Sequence, residues 1–298
     1  MKNNAGGCSL IFIMLGTVWG LIEAPVITLS IMGVIGLIIA IWFISNNAKE
    51  KERKQQEPES ERQAQIAKQK QQELLIQLQK VREHQRKIDE QKAQIERQKQ
   101  ELLEQFGIKY LYHITHIDNL DNILQNGLKS HNYARQNHLL KNDIADNEVN
   151  SRRSKQESIY RRSLHDYVPF YFNPKNPMLF RRKISQNEIV ILAIDKMQIY
   201  NDNTLFTDGN AASSPTNFYN NVQDLNKLNW DCIFANKYWN DFTDGKREKC
   251  SEILIYPDVS VQSIKKIFCN NYSIKQTIER KIVELSHIQS EMNLSLYF

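Results

Sequence analysis

Ile108-Lys109-Tyr110-Leu111-Tyr112-His113-Ile114, then Thr115-His116-Ile117, then Asp118-Asn119-Leu120-Asp121-Asn122-Ile123-Leu124-Gln125-Asn126-Gly127, is the stretch that decides the fold. Aromatic and β-branched residues over 108–114 predict a strand. The polar-flanked Leu and Ile residues that follow predict a short helix. Asp118 or Thr115 is placed to cap its start, and Gly127 to close it in the left-handed αL conformation. Glu188 to Ile194 and Glu252 to Tyr256, rich in Ile, Leu and Val, predict further strands. Ser273 to Leu285 predicts a polar helix near the end of the chain. Strands and helices without regular βαβ alternation predict an α+β domain.

Upstream of this stretch the composition changes twice. Residues Glu59 to Gln105 are rich in Gln, Lys, Glu and Arg and lack Gly and Pro, which predicts one long helix. Leu74, Val81, Ile88, Ile95 and Leu102 recur every seven residues, one coiled-coil position kept over five heptads. The companion position runs Leu78, Gln85, Lys92, Lys99, which argues for a solvated stalk with at most weak self-association.

Further upstream, Cys8 to Ile44 is apolar. Val26 to Ile44 carries no charge over nineteen residues. At about 1.5 Å per residue this just spans a hydrocarbon core of about 30 Å. Cys8 to Ile22 is shorter and ends at Glu23-Ala24-Pro25, so it reads as a second span in a helical hairpin or as an interfacial piece. A cleaved signal peptide fits poorly, because Lys2 is the only charge ahead of a run too long for one. Lys49, Lys51, Arg53 and Lys54 follow the apolar run and place that side in the cytoplasm. The expected organisation is a membrane anchor (1–46), a charged helical stalk (47–106), a globular α+β domain (107–271), and a C-terminal helix and tail (272–298).

The chain has 298 residues and a formal charge of +5, which permits a polyanionic partner without demanding one. Cys8, Cys232, Cys250 and Cys269 have no CxxC spacing, and no HExxH or EF-hand loop is present, so no metal is expected. There is neither a Walker motif nor GxGxxG.

Several groups remain as candidates for chemistry. His113 and His116 bracket a strand end, where a lone histidine is more often structural. Asp166-Tyr167-Val168-Pro169-Phe170-Tyr171-Phe172 lies between Arg161-Arg162 and Arg181-Arg182-Lys183. Aromatic faces beside cations suit single-stranded nucleic acid, and the same pattern serves an aromatic core strand with solvated ends. Arg152-Arg153 reads as a solvated pair or a site pair. Thr207-Asp208-Gly209-Asn210-Ala211-Ala212 opens a long irregular aromatic region that suits substrate binding. Glu252 ends that region at the rim of a strand, either as a working carboxylate or as a surface residue.

In this order the pieces resemble the DarT family of DNA ADP-ribosyltransferase toxins. The matching text is YHITHIDNLDNIL at Tyr112 to Leu124, Ile144-Ala145 with Arg152-Arg153, and HDYVPFYFNPKNPML at His165 to Leu179. TDGNAA at Thr207 to Ala212, Asn229-Trp230 and REKCSEILIY at Arg247 to Tyr256 complete it. The likeness covers about Ile108 to Asn270. It implies an ADP-ribosyltransferase-like split β-sheet with NAD⁺ as co-substrate and no metal. The family's histidine motif falls on His113, Ile114 and Thr115, implying NAD⁺ contacts there and at Asn122. Its catalytic arginine falls on Arg153, also a cofactor-binding position, and its catalytic glutamate on Glu252. Tyr171, Met178 and Arg247 fall on substrate-pocket positions. Ser130 to Ser151 corresponds to a cofactor-covering element, and Phe206 to Ser251 to a substrate-recognition loop.

The activity so implied is transfer of ADP-ribose to a nucleobase, thymidine, in single-stranded DNA, in a toxin or anti-phage role. A separate macrodomain antitoxin is the implied partner. The same fold acting on RNA or protein is one alternative, and an inactive membrane-tethered binding module is another. The family is generally soluble, so the expected anchor at the inner membrane, with the catalytic domain in the cytoplasm, is unusual for it.

Overall fold

The computed structural model describes residues 33, 35–42, 59–144, 147–236 and 239–298. The chain divides into two units, residues 1–86 and 87–298. In the first, residues 35–42 are helical and their side chains are exposed. Most of the expected membrane anchor lies outside the described residues. Among the described residues, no helix is long and apolar enough to cross a membrane.

Helix α1 (Glu59–Gln105) is continuous, as its composition requires. Leu74, Val81 and Ile95 of the heptad series are exposed. Ile88 and Leu102 of the same series are half-buried. The last turns of α1 belong to the globular unit. Leu103 is fully buried, the Tyr200 hydroxyl donates to the Lys99 carbonyl at 2.9 Å, and Phe106 stacks on Trp230.

The globular unit contains strands β1 (Tyr110–His116), β2 (Leu128–Lys129), β3 (Val168–Tyr171), β4 (Ile189–Asp195), β5 (Leu205–Thr207), β6 (Phe218–Tyr219), β7 (Glu252–Ile255), β8 (Asp258–Val259), β9 (Ile264–Cys269) and β10 (Gln289–Met292). The helices after α1 are α2 (Leu120–Asn126), α3 (His131–Gln136), α4 (Asn147–Arg152), α5 (Pro177–Arg181), α6 (Trp230–Phe234), α7 (Gly245–Glu248) and α8 (Tyr272–Lys281). Eight strands form one sheet in the order β10-β9-β4-β1-β3-β7-β5-β6, while β2 and β8 form a separate ladder. The sheet is mixed, because β10 runs parallel to β9 while its other pairs are antiparallel. Central β4 is buried along almost its whole length, as expected of a strand covered on both faces.

The join between β1 and β3 is the weak point of this sheet. β1 pairs with β4 over seven residues, but with β3 only at Tyr112↔Tyr171. Pro169 supplies a reason. Its carbonyl faces β1 and accepts from the His113 side chain at 2.9 Å. A residue in a strand presents its N–H and C=O on the same edge. The donor that proline lacks is therefore missing on the β1 side. The split sheet that the resemblance implies is here one mixed sheet, joined at that point by one registered pair.

Local expectations held with small shifts. The helix after β1 is entered through a 3₁₀ turn (Ile117–Asn119) capped by the His116 side chain, rather than by Asp118 or Thr115. Gly127 closes it at φ 78° and ψ 178°, an extended positive-φ conformation and not αL. A Cβ there would meet the Val259 carbonyl at 2.6 Å, so glycine is required twice over. The C-terminal segment is part of the fold. α8 is followed by edge strand β10, and the buried Tyr297 hydroxyl bonds to the carbonyls of Ile189 and Phe268.

Leu103→Ala should destabilise the folded unit by about 2–5 kcal/mol, whereas Leu74→Ala should change it by less than about 0.5 kcal/mol. Urea unfolding of the full-length variants, followed by tryptophan fluorescence, checks the contrast. Equal losses would mean that the Leu74 face of the stalk is buried in solution.

Candidate active site

Register brings three residues into line across the weak join. Tyr112 on β1 pairs with Tyr171 on β3, and Tyr171 pairs with Glu252 on β7. Residues directly opposite in a sheet share a face, so Tyr171 lies beside Glu252. Glu252 is fully buried. Its Oε2 accepts from Arg153 Nη1 at 2.8 Å, and its Oε1 accepts from the Ala211 N–H at 2.9 Å. A buried carboxylate persists only with such donors.

Two short segments deliver them. Arg153 follows the last turn of α4, its N–H donating to the Asn150 carbonyl at 3.1 Å. Ala211 belongs to the Thr207–Ala212 loop. Thr207 Oγ1 donates to the Gly209 carbonyl at 2.6 Å and accepts from the Glu252 N–H at 3.0 Å. Arg247 braces the loop from outside through Asp208, Thr216 and Asp244. Gly209 lets it do so, since a Cβ would meet the Arg247 guanidinium at 2.3 Å.

The charge state follows from this packing. Burial works against the Arg153 charge, but the Glu252 carboxylate outweighs it, helped by Tyr171, and holds the guanidinium above its ordinary value. Burial first, and then Glu252, push the Tyr171 phenol well up, so it stays protonated. Arg153 Nη2 is buried with no hydrogen-bond partner among the described residues.

His113 stands apart from this cluster. Strand alternation sends it to the face opposite Tyr112. Its ring meets Phe170 edge-on and its Nδ1 bonds the Pro169 carbonyl. Burial lowers its proton affinity against the opposing pull of that carbonyl. The neutral ring donates from Nδ1 and leaves Nε2 as an acceptor.

The other expected cofactor residues are tied to the segment that follows α3. Asn122 Nδ2 donates to the Leu139 carbonyl at 2.6 Å. Thr115 Oγ1 accepts from Asn119 Nδ2 at 3.1 Å. Asn119, which the sequence did not single out, is buried and takes the N–H groups of Lys141 and Asn142 on its Oδ1. Its position one helical turn from Thr115 was the available signal. Ile114 is buried in the core on the Tyr171 side, which leaves only its backbone for binding. Met178, near the start of α5, packs against the same core cluster as Tyr171. Arg247, expected at the substrate pocket, has its guanidinium committed to Asp208, Thr216 and Asp244.

A cleft of about 680 Å³ is lined by Ser151, Arg152, Ser154 and Lys155 and by Ala212 to Pro215. Asp244 and Arg247 complete it. The lining brackets Arg153 and follows Ala211 in the chain. Lys155 Nζ donates to the Ser213 carbonyl at 3.1 Å. Burial, then Arg153, lowers its proton affinity. Among the described residues, no group of side chains is arranged to hold a metal.

Residues 112–298 match the family model described as "ssDNA thymidine ADP-ribosyltransferase, DarT". A DNA ADP-ribosyl transferase of Thermus sp. (strain 2.9) is 34% identical over 158 residues, 49% of this chain and 74% of that protein. A DNA ADP-ribosyl transferase–DNA ADP-ribosyl glycohydrolase fusion protein of Thermosipho africanus (strain H17ap60334) is 30% identical over 175 residues. That alignment takes 58% of this chain and spans 45% of the fusion protein, less than half its length. Among solved structures, Thermus sp. 2.9 DarT in complex with ADP-ribosylated ssDNA superposes with a TM-score of 0.59 at 26% identity, over 64% of this chain and 97% of that one. The same protein in complex with NAD⁺ gives 0.56 at 26% identity, over 64% and 98%.

Thr207→Val would strand the Glu252 N–H and the Gly209 carbonyl in the interior, at a cost of about 1–3 kcal/mol for each unpaired group. The expected result is a lowered melting temperature with an unchanged far-ultraviolet circular dichroism spectrum. An unshifted melting temperature would show that Thr207 does not hold the loop.

Proposed function

The chain belongs to the DarT family of ssDNA thymidine ADP-ribosyltransferases, and from that membership we propose that it transfers ADP-ribose from NAD⁺ to a thymidine base in single-stranded DNA, with Arg153 and Glu252 at the reacting centre. The observation that carries the residue assignment is the buried Arg153–Glu252 contact beside an open basic cleft.

The residues present fit the dinucleotide. The unpartnered Nη2 of Arg153 suits a phosphate or carbonyl oxygen. Nε2 of His113 suits a hydroxyl. Thr115 and Asn122 border the segment that would cover the cofactor, and Ile114 offers backbone groups. NAD⁺, when bound, supplies an ADP-ribosyl group with nicotinamide as its leaving group. Glu252 contributes fixed negative charge, preorganised out of water, where positive charge grows on the ribose. Arg153 pairs with that carboxylate and holds it aimed. Held charged, it is suited to orienting the base or a phosphate rather than to removing a proton. Tyr171 and Met178 would wall the base, and the serines, Arg152 and Lys155 of the cleft suit a phosphodiester backbone. The acceptor base must be unstacked to react, which accounts for single-stranded substrate.

A separate ADP-ribosyl glycohydrolase, a macrodomain antitoxin in this reading, would remove the mark. The fusion of both activities in the Thermosipho protein supports the pairing. The organisation into anchor, stalk, transferase domain and C-terminal segment is likewise our proposal, as is placement at the cytoplasmic face of the inner membrane. Both rest on the uncharged stretch from Val26 to Ile44 and the basic residues after it. Anchoring would confine modification to DNA near the membrane. Recovery of the full-length protein in the soluble fraction without detergent would remove the anchor.

Incubation with NAD⁺ and oligonucleotides with or without thymidine, read by mass spectrometry, tests the activity. One ADP-ribosyl unit on thymidine-containing single strands is expected, with none on thymidine-free strands. Glu252→Gln should reduce transfer by about 100-fold or more while the fold persists. Modification of RNA or protein in place of DNA would overturn the substrate assignment.

A further inference from the structure

The sequence sets the aromatic run Asp166–Phe172 between two groups of cations, but the fold does not join them as ring and cation. Tyr167, Phe170 and Phe172 are buried, so their faces are closed to any ligand. Arg162 packs instead on the rings of Tyr160 and Tyr256, 4.9 and 4.1 Å from their centroids. Lys183, just after α5, has its Nζ 5.9 Å over the ring of Phe180.

Phe180 belongs to a trio of rings. It meets Trp239 at 5.4 Å and 79° and Phe298 at 5.1 Å and 80°. Trp239 and Phe298 meet at 6.4 Å and 84°. In an edge-on contact one ring gives its edge and the other its face. Such contacts cover at most half of the faces that the three rings possess. All three residues are half-buried, so the trio remains open to water. Lys175 Nζ stands 5.3 Å over Phe298 and donates to the Ser295 carbonyl at 3.3 Å. From Phe172 to Asn187 the chain carries Lys175, Arg181, Arg182 and Lys183 and no Asp or Glu. The reaction sketched above uses none of these residues.

The trio is continuous with the proposed base pocket. Phe298 packs against the same core cluster as Met178 and Tyr171, and it touches both other rings of the trio. The Trp239 carbonyl accepts the Phe242 N–H at 3.1 Å, and Asp244 and Arg247, which line the cleft, follow shortly in the chain.

We propose that Phe180, Trp239 and Phe298, rimmed by Lys175 and Lys183, form a second contact surface for single-stranded DNA, on which a base flanking the reacting thymidine stacks. The proposal rests on the reading of the chain as a DNA ADP-ribosyltransferase. Every base has a face to stack, and the lysines suit the phosphates between bases. This surface therefore adds affinity for the strand without choosing the acceptor base.

The test uses the full-length chain with two ligands, a thymidine-containing trinucleotide and a thymidine-containing strand of about 12 nucleotides. Phe180→Leu and Phe298→Leu keep apolar bulk but remove the ring faces. Each should weaken binding of the longer strand by about tenfold, measured by fluorescence anisotropy without NAD⁺. KM for that strand should rise by a similar factor with kcat unchanged, while kcat/KM for the trinucleotide changes by less than about twofold. Lys183→Gln should reduce the slope of log affinity against log salt concentration by about 0.7. Longer-strand binding at the wild-type level in both leucine variants, or equal losses on the two ligands, would overturn the proposal. So would leucine variants that no longer bind phosphatidylserine vesicles yet bind DNA normally, since the surface would then face lipid. The anisotropy arm needs no transfer. A chain that holds the strand through these rings but modifies no oligonucleotide would keep the surface and lose the assigned reaction.

Discussion

Glu252 enters the protein interior as a carboxylate with no exposure to water, and the arrangement of the site follows from compensating it. A charge in that position needs an opposite charge and hydrogen-bond donors, or it does not persist as a charge. Arg153 supplies the first from 99 residues away, and the Ala211 backbone N–H supplies another donor from 41 residues away. Both are committed to one acceptor, so α4 and the Thr207–Ala212 loop cannot be placed independently. Replacing the pair with apolar side chains of equal volume would in many proteins cost little. The pair is accordingly weak evidence of stabilisation, which is consistent with the role proposed for it.

The sheet makes room for that machinery through one residue. Pro169 denies β3 a donor on the edge facing β1, and the backbone ladder there shrinks to Tyr112↔Tyr171. The His113 side chain takes over the bond to the Pro169 carbonyl, so a ring nitrogen stands where a backbone amide would otherwise be. This links the candidate cofactor histidine directly to the break in the sheet. His113 on β1 and Glu252 on β7 thus lie on opposite faces of the sheet with β3 between them.

Support for the site comes from polar side chains that hold backbone. Asn119 gathers Thr115, Lys141 and Asn142, and Asn122 holds Leu139. Arg247 and Thr207 set the loop that presents Ala211. Loops on a rigid sheet are common carriers of function because they can be shaped without disturbing the core. Here the shaping is done almost wholly by Asn, Thr and Arg, whose fixed geometries specify a single loop conformation.

The sequence by itself determined the elements and their kinds. The Gln- and Lys-rich run reads as a helix, the Ile- and Val-rich runs read as strands, and the motif order from Tyr112 to Tyr256 pointed to the family and, by resemblance, to Arg153 and Glu252. These are local properties, fixed by side-chain chemistry at short range. Tertiary structure alone decided that Arg153 and Glu252 touch, that Arg247 is spent on the loop, that Leu74, Val81 and Ile95 stay exposed, and that the C-terminal residues supply an edge strand. It also brought Asn119 against Thr115 and the segment at Lys141 and Asn142. Those facts depend on which distant segments pack together, and packing is set by shape and by the pairing of buried polar groups across the whole domain, for which the linear order of residues carries no direct signal.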